Sequence, residues 1–392
     1  MQLEPFNQLL NKARRFLHSQ VFPIEPLLLS HQWLQLDHAL ADLRQQVKSE
    51  KMWAPHLPIS LGGLGLQVAQ LGQLSKILGQ SPLGHYCFGC QAPDAGNAEL
   101  LHLYATSQLK TSYLEPLAAG TIRSCFAMTE PHMAGSNPTR LTCQAVANKD
   151  GWLINGHKWF TTSADGADFT IVMAVTDPKA AKHQQASMII VPMTTKGVTL
   201  KRNISVMGST GQGYFSHGEV LFENVQVPCE NILGQQGHGF LMAQQRLGPG
   251  RIQHCMRWIG IAQRCFDIMC THVKNRQITD SQSLADQPLI QAKIAECYAV
   301  INSAEHLVQA TADKIDHGGF DSAKHDISMI KFHTAQMLQT VIDHTVQALG
   351  ALGVTDDTVV AFFFREERAA RIYDGPDEVH KLSLAKQLLK NY

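Results

Sequence analysis

The residues that could do chemistry lie in five short stretches. Asp374 stands in Ile372-Tyr-Asp-Gly-Pro376. A carboxylate held out of bulk water can take a proton in a reaction, although an Asp before Gly-Pro on its own forms a turn. Thr129, Ser136 and Asn137 crowd hydroxyls and an amide into one segment; alone they read as a turn between strands. Trp159-Phe-Thr-Thr162 sets aromatic rings beside hydroxyls, and rings in a β region usually fill a core. Arg276, with Gln287 eleven residues later, offers a permanently charged fork suited to phosphate, or a plain polar helix end. Gln347 precedes Gly350 and Gly353, where glycine allows close backbone approach or caps a helix. Two other patterns are weaker. Cys87 and Cys90 form a lone C-x-x-C with no second pair and no thioredoxin-like βαβ context. Gly62-Gly-Leu-Gly65 has no strand before it and lacks G-x-G-x-x-G.

The elements that must position these residues change texture twice. The first ~120 residues read as helical. Leu36, Leu40, Leu43 and Val47 fall on one helix face. From about 122 to 232, short β-type runs (152–155, 169–173, 187–191, 219–222) alternate with glycine turns, predicting a small antiparallel β domain. Helical periodicity returns with Ile252, Cys255, Met256, Ile259, Ala262, Phe266 and Met269. Long helices are expected at roughly 287–316 and 322–349. A last helix is expected after Gly375, with Pro376, Asp377 and Glu378 at its start and Lys386 and Lys390 at its end. The expected class is mainly α with a β middle domain: residues 1–121 α-helical, 122–232 β, 233–392 α-helical.

The 392 residues carry 33 Lys+Arg and 33 Asp+Glu. That balance gives no basic stripe for nucleic acid and no pull toward an anionic membrane. No apolar run reaches the roughly 18 residues of a membrane span, and no secretory signal opens the chain. The nine cysteines therefore read as reduced thiols, mostly core fillers. The expectation is a cytoplasmic protein without a metal.

These motifs in this order resemble the acyl-CoA dehydrogenase family over nearly the whole chain. Cys90-Gln-Ala-Pro-Asp94, Leu247-Gly-Pro-Gly-Arg-Ile252 and Asp374-Gly-Pro-Asp-Glu-Val-His380 look like the subgroup often fused behind an aminoglycoside-phosphotransferase-like kinase domain. The resemblance implies an N-terminal helical bundle, a small antiparallel β-barrel or sandwich and a C-terminal four-helix bundle. It also implies FAD. Phe126, Met128, Thr129 and Ser136 would lie along the flavin, with Ser136 also near the CoA arm. One extra residue precedes Ser136, and Asn137 replaces the family Asp. Phe160 and Thr162 match a Trp-x-Thr beside the ring. Arg276 and Gln287 would bind the pyrophosphate and adenine end, although Thr279 and Asp280 replace the family Phe and Gly. Gln347 and Gly350 would close over FAD from a neighbouring subunit, with Ala351 replacing a Gly. Asp377 and Glu378 complete the cofactor set.

The same resemblance makes Asp374 the base, in place of the family Glu and one methylene shorter. It would take the pro-R α proton as the β hydride moves to flavin N5. The Asp374 backbone N–H and a ribityl hydroxyl would polarise the thioester oxygen. The alternative base position of the family is Gly250 here. Arg251, Tyr373 and Gly375 would surround the substrate. An apolar pocket should raise the Asp374 pKa, and the adjoining helix N-terminus should lower it. The implied partners are an acyl-CoA, an electron-transferring flavoprotein and further copies of the chain, as a homodimer or homotetramer. A flavin oxidase or monooxygenase, and a non-enzymatic nucleic-acid-associated protein, share this fold and stay open from sequence.

Overall fold

The chain combines long helices with one large sheet, and the apolar spacing gives the reason. The structure, a computed structural model, describes all 392 residues. Leu36, Leu40, Leu43 and Val47 are all buried on the helix Trp33–Ser49. The later periodic stripe lies on the helix Gly239–Asn275, which continues through Pro249. Beyond it run Pro288–Ser322, Lys324–Leu349, Val359–Glu367 and Asp377–Leu388. The expected last helix thus begins at Asp377, with Pro376 as its N-cap. No single helix is long and apolar enough to cross a membrane.

The strands are β1 (Ser124–Ala127), β2 (Gln144–Asn148), β3 (Gly151–Thr162), β4 (Phe169–Val175), β5 (Ala186–Pro192), β6 (Val198–Asn203), β7 (Ser205–Val206), β8 (Ser209–Thr210), β9 (His217–Val227) and β10 (Ile232–Leu233). The main sheet runs β10-β5-β4-β2-β3-β9-β6, with β1 on β4. Strands β4 and β5 are buried along nearly their whole length, as continuous apolar runs require. The expected all-antiparallel domain is corrected around β4, which pairs in parallel with β1, Ser124 opposite Phe169, and with the start of β2, Gln144 opposite Val175. A parallel partner needs a long crossover, and residues 128–168 supply it through β2 and β3.

Two compact units emerge, and neither is continuous in sequence. One comprises Met1–Met52, Gly65–Phe88 and Gly248–Tyr392; the other comprises Trp53–Leu64 and Gly89–Leu247. The first unit is helical around a core that includes Ile252, Trp258, Met269, Ile301, Leu338 and Phe363. Within it, the Asp316 carboxylate accepts from the amides of Val68 and Ala69. It thereby satisfies donors that open the helix Val68–Leu78. The second unit holds the sheet, packed around Trp152, Ile154, Val172, Ile189, Val220 and Phe222.

Candidate active site

In the helical unit, Asp374 sits at the end of a turn and carries φ +55. A side chain in this left-handed region costs roughly 1–2 kcal/mol, so other contacts must hold it. Arg251 Nε donates to the Asp374 carbonyl at 2.9 Å. His380 Nε2 lies 3.1 Å from the same oxygen and, facing a carbonyl, carries the proton there. Gly375 follows with φ +96, and a Cβ on it would come within 2.9 Å of His380 Nε2. Lys331, fully buried on the helix Lys324–Leu349, donates to the carbonyls of Ala370 and Gly375 at 2.7 and 3.0 Å. The backbone of the turn is therefore pinned on both sides of Asp374.

The carboxylate itself meets His254, whose Nε2 is 3.3 Å from Asp374 Oδ2. Gly250, one turn earlier on the same helix, faces the same oxygen: a Cβ there would meet Oδ2 at 3.5 Å, an ordinary contact. The His254 ring stacks on Trp258 and leans on Tyr373, with centroids 5.8 and 4.8 Å away. Beneath lies a buried polar knot. Glu367 accepts from Arg257 at 2.6 and 3.2 Å and from Trp258 Nε1 at 3.0 Å. The Tyr373 hydroxyl accepts from Arg257 and Trp258, each at 3.1 Å. Its burial, and next the Glu367 charge, push the phenol well above its usual pKa. Burial lowers the Lys331 ammonium, opposed first by Asp374. Burial also lowers Arg251, again opposed by Asp374. His380 is pushed down to about 4 by burial, then by Arg251.

Of the residues expected around the substrate, this arrangement gathers Arg251, Tyr373 and Gly375 at Asp374. Their polar atoms face inward: Arg251 holds the backbone, the Tyr373 hydroxyl joins the knot, and the Gly375 carbonyl is taken by Lys331. Asp377 is buried, with Oδ2 accepting from Arg371 Nε at 2.6 Å and Oδ1 without a partner. Glu378 is exposed. His254, Lys331 and His380 were not anticipated. Their signals were present: His254 lies four residues beyond Gly250, and Lys331 interrupts the buried stripe Ile327, Ile330, Thr334, Leu338.

The other cofactor residues of this unit stand apart from that cluster. Arg276 is exposed at the end of its helix and lines an open groove of about 460 Å³ with Arg264, Thr271 and His272. Gln287 is the N-cap of Pro288–Ser322, across the hairpin Gln277–Ser283. Gln347 and Gly350 (φ +63) are exposed where Lys324–Leu349 ends.

The sheet unit carries the second constellation. Asp94 Oδ1 accepts from the Ser124 amide and hydroxyl at 2.8 and 2.7 Å, fixing the start of β1. Next along β1, the Phe126 ring lies under the Arg246 guanidinium, 4.2 Å from its carbon to the centroid. The segment that follows is tied to β3 by a buried ion pair. Lys158 Nζ donates to Glu130 Oε1 and to the Met128 carbonyl, both at 2.9 Å. Glu130 also accepts from Thr142 and from the Cys143 amide. Burial opposes ionisation of Glu130, but Lys158 with these donors outweighs it and holds the carboxyl below its usual range. The Thr129 hydroxyl donates to the Trp159 carbonyl at 2.8 Å.

Just beyond, β3 shifts register against β9 between Lys158 and Thr161. There Phe160 takes φ +48 and stays 44% exposed. Strained backbone that keeps a large ring in solvent marks a residue placed to meet something. Beside it, the Thr162 hydroxyl lies 2.9 Å from His217 Nδ1, and the His217 ring is 5.9 Å from Phe160. His217 is a further unanticipated neighbour. An exposed ring flanked by a hydroxyl and an imidazole suits a flat heteroaromatic ligand with hydrogen-bonding edges, so these residues fit a flavin. Ser136 is exposed on its loop.

Known proteins agree on the class. The acyl-CoA dehydrogenase middle-domain model matches residues 125–225, and the C-terminal-domain model matches 237–389. A solved structure from Mycobacterium abscessus that bears the acyl-CoA dehydrogenase name superposes with TM-score 0.95 at 34% identity, covering 100% of both chains. Acyl-CoA dehydrogenase family member 10 of Mus musculus is 41% identical over 96% of this chain, which spans 36% of that protein. FadE2 of Mycobacterium tuberculosis, named as an acyl-CoA dehydrogenase, is 40% identical over 88% of this chain and 84% of its own. The chain belongs to the acyl-CoA dehydrogenase family, an FAD-dependent family.

Proposed function

We propose that the chain dehydrogenates an acyl-CoA thioester between its α and β carbons, giving the 2-enoyl thioester. The observation that carries this is the Asp374 carboxylate, held on a left-handed turn by Arg251, Lys331 and His380 and met by His254. When bound, FAD supplies the acceptor for the β hydride. Asp374 removes the α proton. Arg251 and His380 fix its backbone, so the short side chain keeps one reach; Arg251 and Lys331 set positive charge near its carboxylate. Phe160, Thr162 and the Met128–Thr129 segment would hold the flavin ring, and Arg276 with Gln287 the phosphate and adenine end. Gln347 and Gly350 would meet the cofactor of a neighbouring subunit. Exposed Leu289, Val354, Ile372 and Leu382 support self-association of the helical unit. Electrons would leave to an electron-transferring flavoprotein.

The test is anaerobic mixing of the holoprotein with acyl-CoAs of graded length and branching. At least one should bleach the flavin, and the reduced protein should reoxidise slowly in air. Fast reoxidation would move the reading to an oxidase. No bleaching across the panel would defeat it.

A further inference from the structure

We propose that His254 is the proton outlet of Asp374, taking from its carboxyl the proton lifted off the substrate. This rests on the role given to Asp374 above. Three observations lead to it. First, His254 Nε2 is 3.3 Å from Asp374 Oδ2, and its ring is fixed between Trp258 and Tyr373, so the approach does not depend on a mobile side chain. Second, a proton left on Asp374 sits badly. Arg251 and Lys331 both interact with this carboxylate from within the same unit, and two cations disfavour the neutral acid. Third, the other side chains around Asp374 offer no way out. His380 is 3% exposed and spends its Nε2–H on the Asp374 carbonyl. The Tyr373 hydroxyl is locked between Arg257, Trp258 and Glu367. Asp377 is buried against Arg371. His254 keeps 16% of its side chain in contact with solvent and Asp374 keeps 19%; in the proposed reaction the open side of Asp374 faces the substrate, which leaves the His254 side for the proton.

The α C–H bond breaks and an O–H bond forms on Asp374, while the electron pair stays with the substrate and leaves with the β hydrogen in the proposed reaction. That O–H then breaks as an N–H forms on His254 Nε2, which requires the tautomer protonated at Nδ1. The imidazolium passes a proton to water. Before that release, Asp374 is again a carboxylate and faces the His254 imidazolium, so the transfer forms an ion pair rather than an isolated charge.

Two rates separate this role from that of Asp374. One is single-turnover flavin reduction by an acyl-CoA, which needs only removal of the α proton. The other is deuterium uptake from D2O at the α carbon of a 3-thia-acyl-CoA, read by mass spectrometry. Sulfur at the β position blocks hydride loss, and uptake requires the proton on Asp374 to leave. In the holoprotein, His254→Leu and His254→Gln should each slow deuterium uptake at least about tenfold more than they slow reduction. Gln replaces the ring with a group that can hold Asp374 but cannot relay. Uptake restored by Gln, uptake as fast as wild type in both variants, or equal losses in the two rates would each overturn the outlet. Asp374→Asn is the control for the underlying reading. If it reduces flavin at the wild-type rate, Asp374 is not the base; if it abolishes both rates while the His254 variants behave as wild type, only the outlet falls.

Discussion

His380 shows how much of this site is written into single side chains. Its imidazole is buried behind Asp374, close to Arg251 and Lys331, and is pushed down to about 4. In the unfolded chain a histidine titrates near its ordinary pKa of ~6.5. The unfolded state therefore binds the extra proton first as pH falls. His380 contributes its full stability above about pH 6.5 and loses it progressively as pH drops through 4, by at most about 3 kcal/mol. His380→Gln should flatten the pH dependence of the urea midpoint across that window; an unchanged slope would remove His380 as its source. Asp374 was singled out in sequence because Tyr373 and Gly375 flank it, and its role as base is the proposal made above. His254, Lys331 and His380 were not, because contacts across 6 to 123 residues decide whom a side chain meets, and spacing along one helix does not reveal them.

At the scale of elements, two buried lysines pin segments that would otherwise be free. Lys331 ties the helix Lys324–Leu349 to the turn before the last helix. Lys331→Met should leave the carbonyls of Ala370 and Gly375 unpaired, at a cost of about 2–4 kcal/mol, and slow flavin reduction by releasing the turn. Denaturation and stopped-flow traces of one preparation check both. Lys158 does the same between β3 and the segment after β1. Lys158→Met should cost about 3–5 kcal/mol by stranding Glu130, whereas pairing it with Glu130→Leu should recover part of that loss. Helices were readable from the 3.6 period and strands from short β-type runs between glycine turns. The parallel pairing of β1 with β4 was not, because an apolar run says that a strand is buried but not which strand lies alongside.

For the whole molecule, the chain's two compact units interleave in sequence. The cofactor residues divide as well: Thr129, Phe160 and Thr162 lie in the sheet unit, Arg276, Gln287, Gln347 and Gly350 on the helical unit. If a neighbouring copy completes FAD binding, sedimentation should give a dimer or tetramer of the 43.3 kDa chain. Val354→Glu with Leu382→Glu should then shift mass toward the monomer and lower FAD content together. Monomers that retain full FAD would show that each chain binds its cofactor alone.

The central claim is that one carboxylate starts the reaction. Its most direct measurement is anaerobic single-turnover flavin reduction in Asp374→Asn, at matched FAD content, with the best acyl-CoA of the panel. A fall of roughly 10²–10⁴-fold is predicted. Reduction at the wild-type rate would contradict it.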